Sequence, residues 1–120
     1  MNYSIPILRI FDETKAREFY IEWLGFKIEF EHRFENDAPI YLGISKDGIF
    51  IHLSEHHGDG SPGVKILIHY PEVENFCEEL KAKKYKYYFP SVETTFWNTQ
   101  CMEVCDPFGN KISFYKEILF

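Results

Sequence analysis

The chain has 120 residues, enough for one domain whose hydrophobic core needs no support from disulfides or metals. Its formal net charge is −6, and because an acidic surface repels phosphate backbones, this charge argues against a nucleic-acid partner. Aromatic residues make up 18% of the sequence, a share that predicts either a heavy core or an aromatic-lined cavity.

The first half of the sequence predicts five elements in the order β-α-β-β-β. Residues 4–10 predict a short strand, after which Asp12 is typical of a helix N-cap. Apolar residues, Trp23 among them, then recur at helical spacing up to Gly25, where we expect the helix to end. Three further strands are predicted at 26–31, 40–45 and 49–54, with a hairpin turn at 46–48.

The second half repeats this order after a Gly- and Pro-rich connector at residues 56–63. The predicted elements are a strand at 64–70, a helix at 72–84, and strands at 85–89, 100–105 and 111–117. The halves match in element order but not in residues, so the repeat is structural. We therefore predict one α+β domain over residues 1–120, with two tandem βαβββ modules (4–54 and 64–117) forming a curved mixed sheet around a cavity.

A tight turn is predicted between the last two strands, at Asp106-Pro107-Phe108-Gly109-Asn110. Proline fixes φ early in such a turn, while glycine and asparagine tolerate positive φ. Apolar runs flank the turn on both sides, which indicates a β-hairpin.

Three groups of residues together carry a resemblance to a known family. They are PILRIFD at residues 6–12, FY at 19–20 with LGF at 24–26, and DPFGN at 106–110. On these motifs the sequence resembles the vicinal-oxygen-chelate superfamily, which includes glyoxalase I, extradiol dioxygenases, fosfomycin-resistance enzymes and bleomycin-resistance proteins. The resemblance implies the two-module fold, but a fold by itself does not fix a function.

Metalloenzymes of this superfamily usually draw four ligands from His, Glu and Gln on the first and fourth strands of each module. The resemblance places those four positions at Ile5, His52, Lys65 and Ser113. Only His52 is a good metal ligand, since isoleucine has no donor atom, lysine carries the wrong charge and serine replaces the usual glutamate. We therefore expect no metal, no cofactor and no catalytic residues.

The loss of the metal set indicates the bleomycin-resistance branch, whose members bind the drug and sequester it. Trp97 matches a tryptophan that this branch often carries, although Asn98 stands where a glycine usually follows. The leading interpretation is a metal-independent protein that binds a cationic aromatic antibiotic, because flat cations stack on Trp and Tyr and pair with carboxylates.

Strand alternation supplies the predicted ligand-binding residues, because residues two apart share a face. If His52 faces the cavity, Phe50 and Ser54 do so too, and if Ser113 faces it, so does Tyr115. The full predicted set is Tyr41, Phe50, His52, Ser54, Trp97, Glu103, Ser113 and Tyr115. Trp97 is expected at the mouth of the cavity and Trp23 in the core.

The remaining chemistry-bearing residues favour ordinary roles. His56 and His57 are expected to be solvated loop residues, and His69 a hydrogen-bonded strand residue. Three cysteines without zinc-site spacing indicate reduced core thiols in a cytoplasmic protein, and no signal peptide or membrane-spanning stretch is seen.

Two other functions stay open, and one assembly state is expected. The alternatives are a metal-dependent lyase or dioxygenase that uses His52, and a binder of an unrelated metabolite. The resemblance also implies a homodimer, in which a second chain completes the cavity. Bulky aromatic residues beyond the needs of the core support an interface, and they are Phe30, Phe34, Tyr87, Tyr88, Phe89 and Phe96.

Overall fold

A computed structural model describes residues 1–118 of the chain. The chain divides into two units, each built around a four-stranded mixed sheet. Unit 1 comprises Met1–Val64 together with Asp106–Asn110, and unit 2 comprises Lys65–Cys105 and the chain from Lys111 onward. No helix within residues 1–118 combines the length and the hydrophobicity needed to span a bilayer.

Unit 1 contains four strands and one helical segment. The elements are β1 (Ile7–Arg9), α1 (Glu13–Ala16), a π-helical continuation (Arg17–Trp23), β2 (Lys27–His32), β3 (Tyr41–Lys46) and β4 (Ile49–Ser54). The strand order is β1-β4-β3-β2, with β1 parallel to β4 and the other pairs antiparallel.

The helix of unit 1 begins as predicted, because the Asp12 carboxylate accepts the Lys15 N–H at 2.9 Å. Its second half widens into a π-helix, and the Leu24 N–H donates to the Phe19 carbonyl at 2.9 Å. The large apolar side chains of this segment are buried. With alternate strand residues they form the core of unit 1: Phe19, Tyr20, Trp23, Leu24, Leu42, Ile44, Ile51 and Leu53. The core placement of Trp23 is thus confirmed.

Unit 2 repeats this architecture with different side chains. Its elements are β5 (Lys65–His69), α2 (Val73–Ala82), β6 (Glu93–Thr94), β7 (Thr99–Cys105) and β8 (Lys111–Glu117), and the sheet order is β5-β8-β7-β6. The β5–β8 pair is parallel, and the other two pairs are antiparallel. Helix α2 packs on this sheet through Phe76, whose ring lies edge-on to Phe114 at 5.1 Å. The α+β class with tandem βαβββ modules is confirmed.

One predicted strand is wrong. Residues 85–89 form turns and irregular chain, and the short strand comes later, at Glu93–Thr94. Side-chain contacts rather than a backbone ladder hold this aromatic run. Tyr88 donates its hydroxyl to the Glu103 carbonyl at 2.7 Å, and the rings of Tyr85 and Tyr87 meet edge-on at 5.5 Å.

The predicted turn at residues 106–110 is confirmed, and its polar side chains form hydrogen bonds within unit 1. One carboxylate oxygen of Asp106 accepts the backbone N–H groups of Phe108 and Asn110, both at 2.8 Å. The other accepts the Tyr20 hydroxyl at 2.6 Å, and the Asn110 amide donates to the Arg9 carbonyl at 2.8 Å. Both side chains are buried, and their hydrogen bonds link the turn to the core of unit 1. The role of this motif is therefore structural.

Candidate functional site

The sheet of unit 1 has one face away from its apolar core, and the predicted residues lie on it. Across the β3–β4 register, Tyr41 pairs with Ser54 and Ser45 pairs with Phe50. His52 pairs with Gly43 and lies between Phe50 and Ser54 on the same face. We call this surface the unit 1 face, and its residues are Phe30, Tyr41, Gly43, Phe50, His52 and Ser54.

A cluster of aromatic rings forms the centre of the unit 1 face. The Tyr41 hydroxyl and the His52 Nδ1 are hydrogen-bonded at 2.7 Å. The Phe30 ring meets His52 edge-on at 5.2 Å and stacks on Tyr41 at 6.2 Å. A Cβ added at Gly43 would lie 2.1 Å from the Phe30 ring, so the ring rests on the bare glycine. The contact between Phe30 and Gly43 is not predicted by the sequence pattern, which places Phe30 among the candidate residues of a dimer interface.

A cavity of about 500 Å³ adjoins this cluster within unit 1. Its lining residues are Phe30, His32, Phe34, Tyr41, His56 and Asp59. Burial, followed by the nearby Asp59 charge, raises the pKa of the Tyr41 hydroxyl. The expectation that His56 is solvated is wrong, because its side chain is only 24% exposed and its Nδ1 lies 3.1 Å from the Ser54 hydroxyl. His57 is exposed, as expected.

The corresponding face of unit 2 holds the other four predicted residues. Glu103 pairs with Ser113, and Cys101 with Tyr115, across β7 and β8. Trp97 lies in the turn before β7 with its ring 5.0 Å from that of Tyr115, and it is 41% exposed. We call this surface the unit 2 face, and its residues are Lys65, Leu67, Trp97, Cys101, Glu103, Ser113 and Tyr115.

A charged pair forms the centre of the unit 2 face. The Lys65 Nζ lies 2.9 Å from the Glu103 Oε1, and the Ser113 hydroxyl donates to the same oxygen at 3.1 Å. The bond from Lys65 is the main reason why the pKa of Glu103 lies below its usual value, and Ser113 adds to the effect. The same contact raises the pKa of Lys65.

A cavity of about 340 Å³ opens beside this pair within unit 2. Its lining residues are Lys65, Leu67, Glu93, Thr95, Phe96, Trp97, Cys101, Glu103 and Ser113. Three predicted residues line it, whereas Tyr115 contributes through its contact with Trp97. Sequence reasoning missed Lys65 as the partner of Glu103, because that contact depends on β8 lying between β5 and β7. His69 is hydrogen-bonded as expected, with its Nε2 3.0 Å from a Glu117 oxygen.

The four positions that the family resemblance assigns to metal ligands do not fit a divalent ion. Ile5 has no donor atom, and the His52 Nδ1 is bonded to Tyr41. Lys65 and Ser113 both direct hydrogen-bond donors at Glu103. Within the described part of the chain, no three His, Cys, Asp or Glu side chains are grouped as a metal site would require.

The sequence and the fold both have counterparts among known proteins. A family model described as "Glyoxalase superfamily protein" matches residues 1–118. No curated protein matches the sequence.

Solved structures with the same fold include proteins that bind antibiotics. A bleomycin-binding protein complexed with bleomycin is 17% identical, with a TM-score of 0.74 over 98% of this chain and 100% of that one. A bleomycin resistance determinant encoded on the transposon Tn5 is 16% identical, with a TM-score of 0.73 over 99% of this chain and 100% of that one. An antibiotic-binding protein from Streptomyces sp. CB03234 is 17% identical, with a TM-score of 0.71 over 98% and 97%. At these identities the likeness establishes the fold.

Proposed function

The chain belongs to the glyoxalase superfamily, and from that premise we propose that it is a metal-independent binding protein for a cationic aromatic small molecule of the bleomycin type. Capture would be stoichiometric, with no bond made or broken. Solved structures of this fold include a bleomycin-binding protein and a bleomycin resistance determinant, which supports the ligand class.

The observation that carries the proposal is the combination of aromatic rings and a carboxylate on the unit 2 face. Trp97 is half-exposed against Tyr115, so its indole has one side open for a flat ligand. Glu103 remains charged at neutral pH, because hydrogen bonds from Lys65 and Ser113 lower its pKa. A planar ring with a positive charge fits such a surface by stacking and ion pairing.

The unit 1 face would offer a different kind of contact. Tyr41, His52 and Phe50 present rings, and Ser54 is buried beneath His56. We propose that these three rings stack on a flat part of a ligand, beside the Asp59 carboxylate that lines the adjoining cavity.

Metal independence is supported by the donors at the four family positions, of which only His52 is suited to a divalent ion. We expect dialysed protein to hold well under one metal ion per chain. Inductively coupled plasma analysis that finds about one Ni, Zn, Mn or Fe per chain would instead favour the lyase or dioxygenase alternative.

A homodimer is also proposed, because large aromatic side chains lie on the surface of each unit. Phe34, Tyr87, Phe89 and Phe96 are all more than half exposed, and groups of this kind mark interaction sites. Sedimentation equilibrium at micromolar concentration should give twice the chain mass. A mass near 14.3 kDa contradicts the dimer.

The direct test is titration calorimetry with metal-free bleomycin, on protein whose metal content has been measured. We expect saturable binding with one drug per site, and much weaker binding to the Trp97→Ala variant. The matched control is Trp23→Phe, which alters the core tryptophan and leaves the unit 2 face intact. If the wild-type protein gives no heat with bleomycin, the antibiotic proposal fails and an unrelated metabolite becomes the leading alternative.

A further inference from the structure

The carboxylate of the unit 2 face already has a cation. Lys65 and Glu103 form an ion pair at 2.9 Å, and their side chains are 56% and 40% exposed. Both residues line the same 340 Å³ cavity as Trp97. A cationic ligand that reaches this cavity therefore meets a lysine ammonium at the place where its own charge would bind.

The two partners of this ion pair are held very differently. Glu103 is fixed by Ser113, which is only 1% exposed and donates its hydroxyl to the carboxylate. Lys65 is tethered by a flexible four-carbon stem on β5, at the solvent side of the pair. Because exposed ion pairs add little to stability, moving the ammonium into water costs little while the carboxylate stays in place.

The rest of the cavity suits a small flat cation. Phe96 and Trp97 supply exposed rings, and Glu93 supplies a second carboxylate. A volume of about 340 Å³ lies at the lower end of the range for small-molecule sites, so it holds one ring system with its charged group.

We propose that Lys65 is a specificity-determining residue, an internal cation that a ligand's own ammonium, amidinium or guanidinium group displaces from Glu103. This inference rests on the proposed function, since it assumes that the cavity of unit 2 takes a cation. Lys65 then has two effects. It weakens the binding of every cationic ligand by competing for Glu103. It also lets the cavity admit anions that the carboxylate alone would repel.

The test compares wild-type protein with Lys65→Met, which keeps the length of the side chain and removes its charge. The probes are proflavine, a planar cation, and 8-anilinonaphthalene-1-sulfonate, an anion, each followed by fluorescence at low salt. We expect Lys65→Met to bind proflavine about fivefold more tightly and the anion several-fold more weakly. The gain for proflavine should disappear in the Lys65→Met/Glu103→Gln double variant, because the freed carboxylate is its source.

The matched control is Lys116→Met. Lys116 is also a strand lysine paired with a glutamate, Glu74, but it lies on the opposite side of β8 from Ser113. The Lys116→Met variant removes the same charge from the protein but leaves the cavity unchanged. The affinities for proflavine and for the anion should therefore stay within about twofold of wild type.

Failure of the inference and failure of the proposed function give different results. If bleomycin and proflavine bind the wild-type protein but Lys65→Met binds them no more tightly, the inference is overturned and the function stands. If the probes bind with the expected opposite shifts but bleomycin does not bind, the inference is supported and the antibiotic proposal fails. If neither protein binds proflavine or bleomycin, both are overturned.

Discussion

The two units share one strand order and differ in the chemistry of the equivalent face. In each unit the first strand runs parallel to the last and the other pairs are antiparallel. Yet the unit 1 face centres on aromatic rings, whereas the unit 2 face centres on an ion pair. The scaffold alone therefore predicts neither site.

The cross-strand partner accounts for this difference. On the last strand of unit 1, His52 lies opposite Gly43, and the missing side chain leaves room for the Phe30 ring. On the last strand of unit 2, Ser113 lies opposite Glu103, and the two side chains bond. The residues opposite the last strand therefore shape the face: a glycine leaves room for a ring in unit 1, and a glutamate, together with Lys65 of β5, supplies the charge in unit 2.

The largest expected effect is a loss of stability from a change in the turn at Asp106–Asn110, which joins β7 to β8 but belongs to unit 1. Asp106→Ala removes the acceptor for two backbone N–H groups and for the buried Tyr20 hydroxyl. Because buried donors are left unpaired, we expect a loss of roughly 3 kcal/mol in the free energy of unfolding, measured by urea denaturation. The matched control is Asp12→Ala, an exposed N-cap that should cost about 1 kcal/mol. Equal losses for the two variants would contradict a special role of the Asp106 hydrogen bonds in stabilising unit 1.

Local features of the fold could be predicted from the sequence, whereas contacts set by strand order could not. The Asp12 cap, the turn at 106–110 and the faces of β4 and β8 follow from residue type and alternation within one segment. The bond between Lys65 and Glu103 joins strands that are not sequence neighbours, so it required knowledge of the sheet order.

Two further features escaped prediction for a related reason. The run at residues 85–89 has the composition of a strand, but its tyrosines bind through side chains and the ladder forms at Glu93–Thr94. The contact of the Phe30 ring with Gly43 was also not predicted, whereas the expected role of Phe30 in a dimer interface stays a prediction. In both cases an aromatic side chain found a contact within its own unit that periodicity does not reveal.

The next largest effect tests the aromatic part of the unit 2 face. Trp97→Ala should weaken ligand binding by about 1–3 kcal/mol, the range for losing one aromatic stacking partner, and leave the melting temperature nearly unchanged. Trp23→Ala should lower the melting temperature and leave the ligand affinity of the folded protein nearly unchanged, since Trp23 is 2% exposed and lies in the core of unit 1. Calorimetric titration and thermal melts of both variants separate the two roles. If Trp97→Ala unfolds the protein and the folded fraction keeps its affinity, Trp97 is structural.

A smaller effect is expected from the glycine of the unit 1 face. Gly43→Ala places a methyl group into the Phe30 ring, which must then swing away from Tyr41 and His52. Because Phe30 is partly exposed and can move, we expect a loss of about 1 kcal/mol in stability. Most of this loss should vanish in the Phe30→Ala background, as a double-mutant cycle would measure. Additive losses would mean that the ring does not depend on the glycine.

The smallest expected effect is a change in the pKa of one carboxylate of unit 2, with a carboxylate of unit 1 as the comparison. The Glu103 pKa is lowered chiefly by Lys65, whereas the Glu29 pKa in unit 1 is lowered chiefly by the Ser45 hydroxyl. A lowered pKa means that the folded state favours the charged carboxylate. The stabilisation it gives is therefore present above the ordinary value of 4.5 and is lost as the pH falls through the folded-state pKa.

Lys65→Met should therefore move the Glu103 pKa upward, toward its ordinary value, and leave that of Glu29 in place. Carbon NMR of the glutamate carboxyl groups between pH 2 and pH 7 follows both titrations in one sample, so Glu29 serves as an internal control. Binding of proflavine should follow the same group, because a protonated Glu103 cannot pair with a cation. In Lys65→Met, affinity should thus begin to fall at a higher pH than in the wild-type protein. An unmoved Glu103 titration would show that Ser113, rather than the lysine, controls the charge of the unit 2 face.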